Sequence, residues 1–372
     1  MTKWSLTAAV DAFARNFPDE PRNVYRKAPD ALREAMPAIA EDILAFEPEH
    51  SNDYYLDATV IDIVGLLPLV IAADANEIFV ARTPTLEPNA EAEALGEYAR
   101  VAYVYQGLST ALTFYAYLQR RIVQLMLSLD RSAVRTSGNV IRMAAAQLPR
   151  LLEDRDIALV LERRKQWAQG EEVDIDDEIV AVLERYDDRL SSGSVAINQL
   201  HDLGEHFVVG HEMAHHLLGH LQRRPFEYRS HPAATALLEA RQRLQVTRTD
   251  DGWNDAQVQE FDADAFAFLT LAGEIQAPGT FDHRRWYAAL IGSLLALPAL
   301  EDLALAAAAA SDGVEARRVV AETHPPVGDR ISQILEFAKR FPRSGDDALV
   351  MPHPDGLIVQ ALVYWRFLTA SR

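Results

Sequence analysis

Residues 210–220 read GHEMAHHLLGH. Four of the chain's eleven histidines fall in this stretch, and a glutamate follows the first. The surrounding segment, Val195–Gln222, carries apolar residues at the three- and four-residue spacing of a helix. Four helical residues turn about 400°, so His211 and His215 stand about 40° and one turn apart on the same face. Two imidazoles so placed can meet one ion at about 2.0–2.1 Å. Glu212 lies about 100° round the helix, beside that face. From there its carboxylate can reach a water on the ion without displacing a ligand. His-Glu-x-x-His on a helix is the zinc metalloprotease pattern for this reason.

The neighbours sharpen this reading. Phe207, Val208, Val209, Met213, Leu217 and Leu218 make the flanks of the histidine pair apolar. A helix buried through them puts the ion in a low-dielectric pocket, where its charge acts strongly. Gly204 is read as leaving room for a substrate on the ligand face. On a helix continued to Gln222, His216 lies about 140° and His220 about 180° from His211, so neither shares the ion. His216 is read as a surface or core polar group. His201 and His206 are read as substrate-side groups or groups behind the ligands.

Catalytic zinc usually has three protein ligands. EFDADAFAFLTLAG (Glu260–Gly273) offers the third on a second predicted helix, Asp255–Ala272. Glu260 and Asp264 share a face. Glu260 can ligate while Asp264 accepts a hydrogen bond from the far nitrogen of a ligand histidine, which fixes its tautomer. Asp262 is left over and is expected to face solvent. THPPVGDRI (Thr323–Ile331) follows, its prolines making a rigid entry to a helix near Val327. His324 is a candidate donor to an oxyanion, and Arg330 a candidate partner for Glu260 or Asp264.

In their order, these three blocks resemble the gluzincin metallopeptidases, above all the family of the CAAX prenyl protease and HtpX. GHEMAHHLLGH matches that family's HExxH with a further histidine five residues on, His220. EFDADAFAF matches its third-ligand helix, and THPPVGDRI its late histidine–arginine segment. The resemblance implies one zinc ion on His211, His215 and Glu260, a general base at Glu212 and a transition-state histidine at His324. It also implies supporting roles for Asp264 and Arg330, and a zincin-like helical core. It covers roughly residues 191–341. Those relatives span membranes several times, and this chain carries no such segment. The soluble Lit-type phage-exclusion protease has a similar HExxH layout. The implied activity is a zinc-dependent metalloendopeptidase cleaving a cytoplasmic protein substrate, with Glu212 assisting attack by metal-bound water. Two rivals stay open. The metal site could be a relic in a regulatory or binding protein that works through its acidic N-terminal region. The enzyme could also be latent, its cleft covered by N-terminal helices or by His353–Leu368.

Bulk properties agree with a soluble enzyme. A chain of 372 residues with net charge −19 does not suit nucleic acid or an anionic membrane over a broad face. Nine carboxylates face two arginines in Glu171–Arg189, read as a solvated helix face or a dock for a basic partner. With no cysteine, disulfides and thiolate metal sites are excluded. The apolar runs Ile63–Ala73 and Trp286–Leu300 fall short of the roughly 20 residues that span a bilayer. They are expected to be core helices, and the N-terminus lacks the apolar core of a secretory signal. A cytoplasmic location is expected.

The chain reads as mainly α. Helices are predicted at Asp30–Phe46, Asp57–Ala73, Ala92–Leu129, Gly138–Leu152, Asp156–Gln169, Asp176–Leu190 and Val195–Gln222. Further ones are predicted at Ala233–Gln245, Asp255–Ala272, Arg284–Ala310, Val314–Ala321, Val327–Phe341 and Asp355–Ala370. Glu77–Thr83 is the best strand candidate, one arm of a small hairpin at most. Breaks at Thr83–Glu93, Ser191–Ser194 and Thr247–Trp253 carry loop residues. They suggest an N-terminal helical region (1–190) of unassigned role, a metallopeptidase domain (191–345) and a C-terminal helix or tail (346–372).

Overall fold

The computed structural model describes residues 4–16, 18, 54–83, 90–95, 99–128, 143, 146–147, 149–150, 152–168, 178–182, 197–221, 231–247, 252–310 and 322–340. The predicted helices Asp30–Phe46, Val314–Ala321 and Asp355–Ala370 lie outside these residues, as do most of Gly138–Leu152 and of the acidic stretch Glu171–Arg189. The described elements begin with α1 (Leu6–Asn16), α2 (Tyr54–Gly65), α3 (Leu69–Ala75), β1 (Ile78–Thr83), β2 (Ala90–Leu95) and β3 (Ala99–Tyr105). Then follow α4 (Gln106–Ser128), α5 (Arg155–Ala168), α6 (Ile197–Leu217), α7 (Pro232–Leu244), α8 (Asp255–Leu271), α9 (His283–Ala310) and α10 (Val327–Arg340). The described residues are mainly helical with one small sheet.

Two predicted helices are corrected. Asp57–Ala73 is not continuous, because Pro68 disfavours helical backbone at the residue before it. Pro68 itself takes an extended conformation (ψ 145°) at the head of α3. The second correction concerns Ala92–Leu129, whose first part is sheet. β3 is central, parallel to β1 (Ile78 opposite Arg100) and antiparallel to β2 (Ala90 opposite Val104). The hairpin is therefore β2–β3, and β1 joins its far side. Phe79, Ala81, Val101 and Tyr103 face α1, where Phe13 meets Phe79 edge-on at 5.3 Å. Ile78, Val80, Ala102 and Val104 face the main core. A strand buried on both faces reads as a continuous apolar run, without the alternation that identifies a half-exposed strand.

The main core runs from Leu56 to Ala338 and draws on residues before and after the 191–194 break. At its centre α6 packs against α9, α8, α4, α2 and the sheet. Phe207, Val208, Val209 and Met213 are fully buried. Each such side chain stabilises the fold by about 1.5–3 kcal/mol. Trp286, Leu290, Ile291 and Leu294 of α9 are buried as well. No helix among the described residues is long and apolar enough to cross a membrane.

Gly204 does not open a substrate space. A Cβ there would stand 2.7 Å from Leu112 Cδ2, so the glycine serves the close crossing of α6 and α4. On the other side of α6, a Cβ at Gly292 of α9 would collide with the Leu203 carbonyl oxygen. Small residues at both crossings let backbones approach and hold α6 in place.

Candidate metal centre

Helix α6 presents His211 and His215 toward α8, which presents Glu260. The ligand atoms of these three buried residues all lie within 4.8 Å of one another. His211 Nε2 and His215 Nε2 are 3.1 Å apart. Glu260 Oε2 is 3.3 Å from His211 Nε2, and its Oε1 is 3.3 Å from His215 Nε2. A tetrahedral ion with bonds of about 2.0–2.1 Å has ligand atoms about 3.3–3.4 Å apart. The two imidazole nitrogens are close to that separation, and each stands at it from a different oxygen of Glu260. Glu260 Oε2 is buried yet accepts no hydrogen bond from a described residue. Two imidazoles and a carboxylate converging without full hydrogen bonding are a donor set that fits a divalent ion.

The approach of α8 is fixed locally. Gly210 sits against Ala267, where a Cβ would meet the alanine side chain at 3.5 Å, so the two helices run close. Asn254 caps α8 with a capping box: its side chain accepts from Gln257 N at 3.0 Å, and Gln257 Oε1 accepts from Asn254 N at 3.1 Å. Asn254 Nδ2 also donates to the Glu322 carbonyl at 2.7 Å. That bond ties the segment carrying His324 to the start of the ligand helix.

Behind the three donors, Asp264 Oδ1 stands 2.9 Å from His211 Nδ1. Arg330, in the first turn of α10, donates to both oxygens of Asp264 at 2.7 Å and approaches Glu260 Oε2 at 3.4 Å. Burial pushes the Asp264 carboxyl up, but the Arg330 guanidinium outweighs it and holds the group below its ordinary value. Burial also raises the Glu260 carboxyl, and here the His215 and His211 imidazoles hold it well below the usual carboxylate range. His211 itself is disfavoured as a cation by burial. Asp264 and Glu260 reverse this and push it up to about 10.

Glu212 is buried in the same cluster. Burial raises its pKa, against the opposing charges of His211 and His215. His324 stands at the edge, its Nε2 3.8 Å from Glu260 Oε1 and its side chain 48% exposed. Its Nδ1 is engaged by Thr323 Oγ1 at 2.8 Å. The seven residues singled out in the sequence, His211, Glu212, His215, Glu260, Asp264, His324 and Arg330, thus gather in one cluster.

Other expectations change. Asp262 does not face solvent; it is fully buried and accepts from Arg241 Nη2 at 2.8 Å, linking α8 to α7. His216 is a core residue whose Nε2 meets the Val101 carbonyl at 3.0 Å. Burial lowers its pKa to about 3, so it is held neutral. His201 Nε2 meets Ser109 Oγ at 2.8 Å, on α4. His206 contacts the Asp202 carbonyl at 2.6 Å and Asp62 at 3.5 Å, beside a cavity of about 280 Å³ lined also by Leu203, Leu271 and Arg285. Neither histidine belongs to the group that could hold a metal ion.

One participant was missed. His220 is not on the far side of a continuing helix, because α6 ends at Leu217. Gly219 takes φ 78°, the left-handed conformation that glycine tolerates best. His220 N bonds to His215 O at 3.0 Å and Gly219 N to His216 O at 3.2 Å. This Schellman turn folds His220 back, its Nδ1 3.1 Å from His215 Nδ1. The glycine in HLLGH was the available signal, since glycine commonly sits just past a helix end.

Comparison of the chain with protein families, with curated proteins and with solved structures finds no match in any of the three.

Proposed function

We propose that this protein is a zinc-dependent metalloendopeptidase that hydrolyses peptide bonds of a protein substrate. The supporting observation is the buried convergence of His211, His215 and Glu260 with Glu212 in the same cluster. A purely structural site has no use for a carboxylate at Glu212. A zinc ion held by the three ligands supplies an acidified water and an electrophile for the scissile carbonyl.

The chain's own groups complete the reaction. Glu212 takes the proton of the attacking water and passes it to the leaving amine. His324, the most exposed imidazole of the cluster, donates to the oxyanion as charge develops. Asp264 orients His211, and Arg330 fixes Asp264 through two parallel hydrogen bonds.

The test is labelling of new protein N-termini in cells expressing wild type or Glu212→Gln, with elemental analysis of both purified proteins. The expected result is equal zinc content and new termini with the wild type alone. The same new termini in both cells would remove Glu212 from the role. No new termini in either would leave a metal-binding regulatory protein.

A further inference from the structure

The two ligand histidines are supported differently. His211 has a carboxylate behind it, Asp264 at 2.9 Å, itself clamped by Arg330. His215 has another imidazole behind it: His220 Nδ1 at 3.1 Å, the rings edge-on with centroids 5.0 Å apart. For His215 to present the Nε2 lone pair to an ion, its proton must sit on Nδ1. That proton needs an acceptor, and His220 Nδ1 is in place if His220 carries its own proton on Nε2.

We propose that His220 is a positioning residue of the metal centre, accepting the Nδ1 proton of His215 and holding the His215 Nε2 lone pair toward His211 and Glu260. The inference rests on the reading that these three residues bind zinc. On a straight helix, residue 220 would lie about 140° round from residue 215. The turn at Gly219 places it there instead, so the contact is built by a helix C-cap rather than by helical periodicity. The arrangement also bears on the charge of the centre. Asp264 is paired with Arg330, and a neutral imidazole behind His215 adds no carboxylate to those of Glu212, Glu260 and Asp264.

The test combines zinc affinity with tautomer state. His220→Phe keeps a ring but removes the acceptor. It is expected to weaken zinc binding, measured by competition with a chromogenic chelator, by about 10–100-fold. His220→Asn offers Oδ1 near the position of the lost Nδ1 and is expected to recover most of that affinity. In zinc-loaded wild type with ¹⁵N-labelled histidine, long-range ¹H–¹⁵N spectra are expected to show His215 protonated at Nδ1 and His220 at Nε2 alone. This readout needs no variant to fold. Wild-type affinity in His220→Phe, or His220 protonated at Nδ1 in wild type, overturns the positioning role while leaving the zinc site standing. Absence of zinc binding by wild type overturns the metal reading and this inference together.

Discussion

Arg330 and Asp264 form a bidentate pair, two hydrogen bonds of 2.7 Å between groups almost wholly removed from solvent. α10 and α8 are thereby joined at the back of the ligand cluster. Removing one member leaves a buried charge without its partner. Arg330→Leu is expected to destabilise the protein by about 3–5 kcal/mol in urea unfolding. The double variant Arg330→Leu/Asp264→Asn is expected to recover part of that loss, because no net charge is left behind. Equal stability of the single and double variants would refute the account.

In the proposed zinc site Glu260 is the ligand from a second helix, so its loss is expected to uncouple zinc from stability. Zinc at about a thousand times its dissociation constant is expected to stabilise wild type by roughly 4 kcal/mol. In Glu260→Ala that zinc-dependent rise in Tm is expected to vanish, and the chelated protein is expected to lose stability as well, because His211, His215 and Arg330 lose the buried carboxylate they face at 3.3–3.4 Å. A rise of undiminished size would mean that zinc binds elsewhere.

The helix crossings at Gly292 and Gly204 should differ in tolerance. A methyl at Gly292 meets the Leu203 backbone carbonyl, which cannot move without shifting α6. A methyl at Gly204 meets Leu112 Cδ2 at 2.7 Å, the end of a side chain that can rotate. Gly292→Ala is therefore expected to lose about 1–3 kcal/mol and Gly204→Ala less. The reverse order, read by urea unfolding, would contradict the packing described.

Burial lowers the His206 pKa, but Asp62 and the Asp202 carbonyl outweigh it and leave the group raised. A raised histidine contributes stability that is complete below its unfolded value, about 6.5, and is lost as pH rises through the higher folded value. Wild type should therefore exceed Asp62→Asn in stability at pH 5.5 by more than at pH 8.5. Asp62 is 68% exposed, so the difference is expected to be a few tenths of a kcal/mol. A gap that widens toward alkaline pH would reverse the sign and reject the pairing.

Local periodicity carried much of this protein. The helices α5 through α10 follow from apolar spacing. The four-residue intervals His211–His215 and Glu260–Asp264 fixed which side chains share a face, because 3.6 residues per turn is a property of the backbone alone. Tertiary structure decided what periodicity cannot encode. β3 is buried on both faces, which erased its alternation. Asp262 is drawn inside by Arg241 on a separate helix. His220 turns back because one glycine ends α6. The distance from Glu260 to the histidine pair depends on how α6 packs on α8, where Gly210 lies against Ala267, a contact between segments far apart in the chain. Such contacts depend on shape and burial across elements, and no local pattern records them.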